Sequence, residues 1–123
     1  MTQTIDLSPQ ILNLKLYAGD GVTFRLSVKN KDDEPVNLIG TMEAQIRLKR
    51  GLGDDPLAEF SIDLSEAEDG IARLTLTGEQ TQELIPITNK RFHGVWDLQW
   101  TPTDGQPRTL CQGRVECFTD VSR

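Results

Sequence analysis

Val22-Thr23-Phe24-Arg25-Leu26-Ser27-Val28 carries an apolar residue at every even position and a polar one at every odd position. A period of two is the mark of a strand with one face buried and the other wet, because successive side chains leave a pleated backbone on opposite sides. Upstream, Leu12, Leu14 and Leu16 alternate with Asn13, Lys15 and Tyr17, and Gly19-Asp20-Gly21 supplies turn residues between the two runs. Downstream, residues 30–35 (NKDDEP) form a solvated turn. Residues 41–49 then set Met42, Ala44, Ile46 and Leu48 against Glu43, Gln45, Arg47 and Lys49.

The same pattern continues to the C-terminus. After the break at 51–56 (GLGDDP), Ala58, Phe60, Ile62 and Leu64 alternate with Glu59, Ser61 and Asp63, and an acidic turn follows at 66–70. Ala72, Leu74 and Leu76 make a short strand. Residues 77–84 hold the one helical signal, since Thr77 and Gln80 stand three apart as in a capping box and Pro86 limits extension. Arg91-Phe92-His93-Gly94 reads as a loop leading into a strand that alternates Trp96, Leu98 and Trp100 with Asp97, Gln99 and Thr101. The Asp-Gly turn in 102–107 (PTDGQP) and a last strand over 109–119 complete a hairpin. Seven to nine short strands, about ten residues apart and with at most one short helix, predict an all-β, antiparallel, immunoglobulin-like sandwich. A small closed barrel is the alternative, because alternation fixes neither strand order nor closure.

The 123 residues suit one domain, 1–123, with 119–123 as a candidate flexible tail. Thirteen Lys and Arg against nineteen Asp and Glu give a formal charge of −6, which repels nucleic-acid backbones and anionic lipid. No apolar run reaches the roughly 20 residues of a membrane span, and the opening lacks the pattern of a cleaved signal. Cys111 and Cys117 stand six apart in one extended segment, roughly 20 Å at about 3.3 Å per residue, too far for a disulfide. They read as buried, reduced thiols.

The catalytic inventory is thin. His93 is the single histidine, so a zinc site built on two histidines is excluded within one chain, and no serine sits in a nucleophile-elbow sequence. Acidic residues cluster in three loops (Asp32, Asp33 and Glu34; Asp54 and Asp55; Glu66, Glu68 and Asp69), but none follows a twelve-residue calcium-loop pattern. No cofactor and no metal is expected. Trp96 and Trp100 share a face with Leu98 and read as core; exposed, they would form a sugar-stacking platform. Tyr17, on the wet side of its strand with Ile11, is a candidate for a contact patch. Arg47 and Lys49 on the polar face of 41–50, with Asp120 and Arg123 in the tail, are the other expected partner-binding residues.

The succession of LYAGDGVTFRLSV (16–28), EPVNLIG (34–40), AQIR (44–47), the Asp69-Gly70 turn, TQEL (81–84), WDLQWTPTDG (96–105) and RTLCQGRVECFTDVSR (108–123) resembles the small β-sandwich proteins of tailed-phage virions, of the LtfC-like and baseplate upper protein N-terminal kind. Trp96, Trp100, Cys111 and Cys117 depart from what that resemblance leads one to expect. It implies a non-enzymatic connecting, adaptor or decoration unit of tail, baseplate or capsid, made in the host cytoplasm and located in the virion. Other virion proteins and copies of itself are the implied partners. The alternative from another class is a carbohydrate-binding module that recognises host-surface glycans.

Overall fold

The computed structural model describes the backbone of residues 2–5 and all atoms of 10–48, 56–85, 91–103 and 105–119. Ten strand segments appear: β1 (Thr2–Ile5), β2 (Gln10–Ile11), β3 (Leu14–Tyr17), β4 (Val22–Val28), β5 (Gly40–Arg47), β6 (Ala58–Glu59), β7 (Ser61–Asp63), β8 (Ile71–Leu76), β9 (Arg91–Pro102) and β10 (Arg108–Phe118). They form two sheets. Sheet A has the order β1-β4-β8-β7; sheet B has the order β2-β10-β9-β5-β6, with β3 also on β10. This is the strand order of an immunoglobulin-like sandwich, not a closed barrel. If β2 with β3 and β6 with β7 are each taken as one interrupted ribbon, eight ribbons build it.

Three pairings depart from the antiparallel expectation: β1 lies parallel to β4, with Thr2 opposite Arg25, and β2 and β3 both lie parallel to β10, with Ile11 opposite Gln112 and Leu14 opposite Val115. For β3 the cause is the tight Ala18–Gly21 turn, which sends the chain from sheet B to sheet A, so that β3 runs against β4 and with β10. On the other flank the 58–63 ribbon also changes sheets. Ala58 pairs with Ile46 of sheet B, and Ile62 pairs with Leu74 of sheet A. The side of the sandwich at β6 and β7 is thereby crossed by a ribbon, which shortens the exposed edges there that invite uncontrolled strand pairing.

The core follows the alternation. Phe24, Leu26 and Val28 of β4 meet Ala44 and Ile46 of β5 and Trp96, Leu98 and Trp100 of β9, all buried. At its centre three rings join the layers: Phe24 of sheet A, Trp96 of sheet B and Phe60 at the crossing, with centroids 5.6–5.9 Å apart. Tilted and edge-on contacts of this kind add about 0.5–1.5 kcal/mol per pair beyond burial. Cys111 and Cys117 are free and buried, as their spacing predicted. Burial pushes the Cys111 thiol up to about 12 and that of Cys117 up to about 11.

Trp96 also explains why β2 and β3 are separate. Its indole N–H donates to the Leu12 carbonyl at 2.7 Å, so that carbonyl turns inward and leaves the ladder. Asn13 repairs the gap, its side-chain oxygen accepting from the Arg114 N–H at 2.9 Å. Gly113, opposite Trp96, gives the crossing room, since a Cβ there would collide with the Leu12 carbonyl.

The helix α1 (Gly78–Glu83) starts with the expected capping box, Gln80 N–H donating to Thr77 Oγ1 and Thr77 N–H to the Gln80 side chain. Thr81 is fully buried beneath it. Its hydroxyl accepts from Gly19 N–H at 3.1 Å and lies 3.0 Å from the carbonyls of Asp20 and Gly78, tying the helix to the β3–β4 turn. Gly78 permits that approach, because a side chain there would strike the Gly19 carbonyl. At the acidic turn, Ala67–Asp69 forms a 3-10 turn closed by left-handed Gly70.

Two local expectations need correction. His93 lies inside β9, not in a loop: Gly94 interrupts the apolar pattern only because Phe92 and the Arg47 backbone occupy the space a Cβ would need. Leu48 lies beyond the end of β5 and is exposed instead of joining the core. Asp54, Asp55 and Asp104 lie outside the described residues. Among the described residues, no helix is long and apolar enough to cross a membrane.

Candidate contact surface

The outward face of sheet B gathers the expected contact residues that the structure describes. Tyr17 stands on β3, exposed, in register with Phe118 of β10, which in turn faces Arg91 of β9. The Tyr17 and Phe118 rings lie 6.2 Å apart, and Lys15 and Arg91 each hold a cation 5.4 Å from the Phe118 ring. A ring's negative face attracts both charges, so the four side chains form one corner. Arg47 stands on the same face, opposite Val95 and bonded to the Gln45 side chain. Lys49, Asp120 and Arg123 lie outside the described residues.

Between these points the rows are polar. Glu116 sits between Lys15 and His93, its carboxylate 4.0 Å from the imidazole. Further along, Gln112, Asp97, Gln45 and Glu59 make one row across four strands, with a 3.1 Å hydrogen bond from Gln45 to Glu59. Glu43 and Gln99 follow in the next row. A small polar depression of about 120 Å³ lies among Glu43, Gln45, Arg47, Asp97 and Gln99. Ile11, 73% exposed, borders the face beside Gln112.

Arg91, Arg114 and Phe118 were not singled out by sequence reasoning, and Lys15 was read as a wet-face charge that discourages edge pairing, not as a contact residue. Their signal was present, since each stands on the polar side of a strand beside a residue of known register. Strand order was needed to see them together.

The chemistry available is recognition by charge, amide and ring. His93 and the nearest thiol are on opposite sides of the sheet: Cys117 pairs with Phe92 facing the core, whereas His93 pairs with Glu116 facing out. An open trough beside α1, about 850 Å³ and lined by Gly19, Thr77, Gly78, Glu79, Gln82 and Glu83, offers two carboxylates with no thiol or imidazole beside them. Among the described residues no three His, Cys, Asp or Glu side chains are grouped to hold a metal ion. Trp96 and Trp100 are core, so they provide no stacking platform. In the β7–β8 turn the Ser65 N–H bonds to Asp63, which holds that carboxyl below its ordinary range.

The sequence matches no family profile, and no curated protein matches it. Among solved structures, the chain is similar to the N-terminal domain of phage TP901-1 ORF48, at 14% identity over 97% of this chain and 98% of that one, with a TM-score of 0.45. A mutant of the SrpA adhesin from Streptococcus sanguinis aligns at 12% identity and a TM-score of 0.54, over 89% of this chain and 56% of the adhesin chain. The bradyzoite-specific antigen BSR4 of Toxoplasma gondii aligns at 13% identity and a TM-score of 0.37, over 93% of this chain and 44% of that one. At such identity the adhesin likeness is one of fold.

Proposed function

We propose that this chain is a non-enzymatic structural protein of a tailed-phage virion, a rigid sandwich that connects or decorates parts of the particle through protein contacts. The observation that carries the reading is the outward face of sheet B, a broad surface with an exposed aromatic corner and projecting charges but only a small depression. Flat faces of mixed apolar and polar character suit partner surfaces, whereas small-molecule sites are concave and mostly apolar. The ordered succession of motifs resembles that of virion sandwiches, and this resemblance supports the class of particle. Its neighbours would be other virion proteins and copies of itself.

Mass spectrometry of purified particles tests this directly. The chain is expected among the particle proteins, and its absence from them would overturn the reading. Two assays guard the boundaries: the purified protein is expected to release nothing from peptidoglycan or host glycans, and its tryptophan fluorescence should not respond to a cell-wall glycan panel. Turnover would make it an enzyme, and a saturable response would make it a glycan binder.

A further inference from the structure

The charges on the outward face of sheet B are sorted. Following β9 from Arg91, the first three rows project Lys15, Arg91 and Arg114 against the single carboxylate of Glu116, net +2 with His93 neutral. The next two rows hold Asp97, Glu59 and Glu43 with glutamines between them, and the Arg47 guanidinium reaches in to bond Gln45, net −2. These counts are of the described residues. A chain with an overall charge of −6 therefore carries on one face a cationic half and an acidic half of equal size.

We infer that this face pairs with the same face of a second copy in a two-fold dimer. A two-fold axis lying in the contact plane, across the line joining the two charge centres, lays the cationic half of each copy over the acidic half of its partner. The attraction is thus made twice, which is the self-complementarity an isologous interface requires. Exposed Ile11 and Tyr17 border the same face and add apolar contact area. The 10–17 ribbon, β10, β9 and β5, about 4.8 Å apart and eight to twelve residues long, span roughly 20 by 30 Å in projection, about 600 Å² against the roughly 800 Å² per partner of a standard interface. The pairing does not rest on the virion reading, because it is a property of the isolated chain; absence from particles would leave it untouched.

Sedimentation and light scattering of the purified chain, with two sets of reversals, test the inference. The wild type is expected to form a dimer at high micromolar concentration and low salt, weakening as salt rises. Lys15→Glu with Arg91→Glu and Arg114→Glu, or Glu43→Lys with Glu59→Lys and Asp97→Lys, should each leave a monomer with wild-type circular dichroism. Mixing the two sets should restore a dimer containing one of each, since a predominantly acidic face then meets a predominantly cationic one. Should a reversed set fail to fold, Lys15→Gln with Arg91→Gln and Arg114→Gln is expected to weaken self-association at least tenfold without adding charge. A wild type monomeric at every concentration and salt, variants that associate as the wild type does, or growth into open chains would each overturn it.

Discussion

Trp96 and Trp100 occupy the same face of the same strand and are both buried, yet their surroundings hold the molecule in different ways. Around Trp96 the indole N–H is bonded to Leu12, two phenylalanines pack on the ring, and a chain crossing is built over Gly113. Around Trp100 the indole N–H is buried without a partner among the described residues, and Arg108 lies over the ring at 5.9 Å. The first site specifies which ribbon lies where. The second fills volume near the end of the sandwich. Equal burial thus conceals unequal structural roles, because a directed hydrogen bond fixes position and apolar contact alone does not.

The largest effect should come from Gly113→Ala. Its Cβ would displace the Leu12 carbonyl, so overpacking and a lost indole bond combine to at least about 3 kcal/mol, read as a lowered denaturant midpoint. Trp96→Phe should cost about 2–3 kcal/mol, because it opens a void and leaves the Leu12 carbonyl without its donor. A cost below that of the same change at Trp100 would break the comparison.

Cys111 pairs with Leu98, between the two tryptophans on the same face, and provides a pH probe of how dry that space is. Its thiol pKa is raised on folding, so the contribution to stability is complete below the ordinary thiol range and declines as pH rises toward about 12. The melting temperature should fall between about pH 9 and 11, and Cys111→Ala should flatten that fall. A thiol reagent at pH 8 should modify neither cysteine until the chain unfolds. The smallest effect is expected for Trp100→Phe, at about 1 kcal/mol or less, because removing an unpartnered N–H offsets part of the lost packing.

Much of the sandwich was legible in sequence because it depends on local alternation. β4, β5 and β8, the Thr77 capping box and the buried tryptophans all follow from neighbours within a few residues. The parallel pairing of β3 with β10 was not legible, since a period of two gives the buried face without naming the strand alongside. The first half of β9 was hidden by Gly94, whose missing side chain reflects the close Arg47 backbone, a tertiary cause. Tyr17 and Arg47 were recognisable as wet residues of separate strands. Their common face, and the sorting of charge across it, depends on the order β3-β10-β9-β5, which no local pattern encodes.

The parallel alignment of β3 and β10 also determines how the chain responds to tension. A pull reaching β3 at Leu14 and β10 at Phe118 in opposite directions drags the two strands lengthwise past each other, as in a lap joint. The rungs from Leu14–Val115 to Tyr17–Phe118 are then loaded together, whereas the hairpin of β9 and β10 would open one rung at a time. Single-molecule stretching should register one high rupture force for this clamp, and Gly113→Ala, which disturbs the crossing beside it, should lower that force.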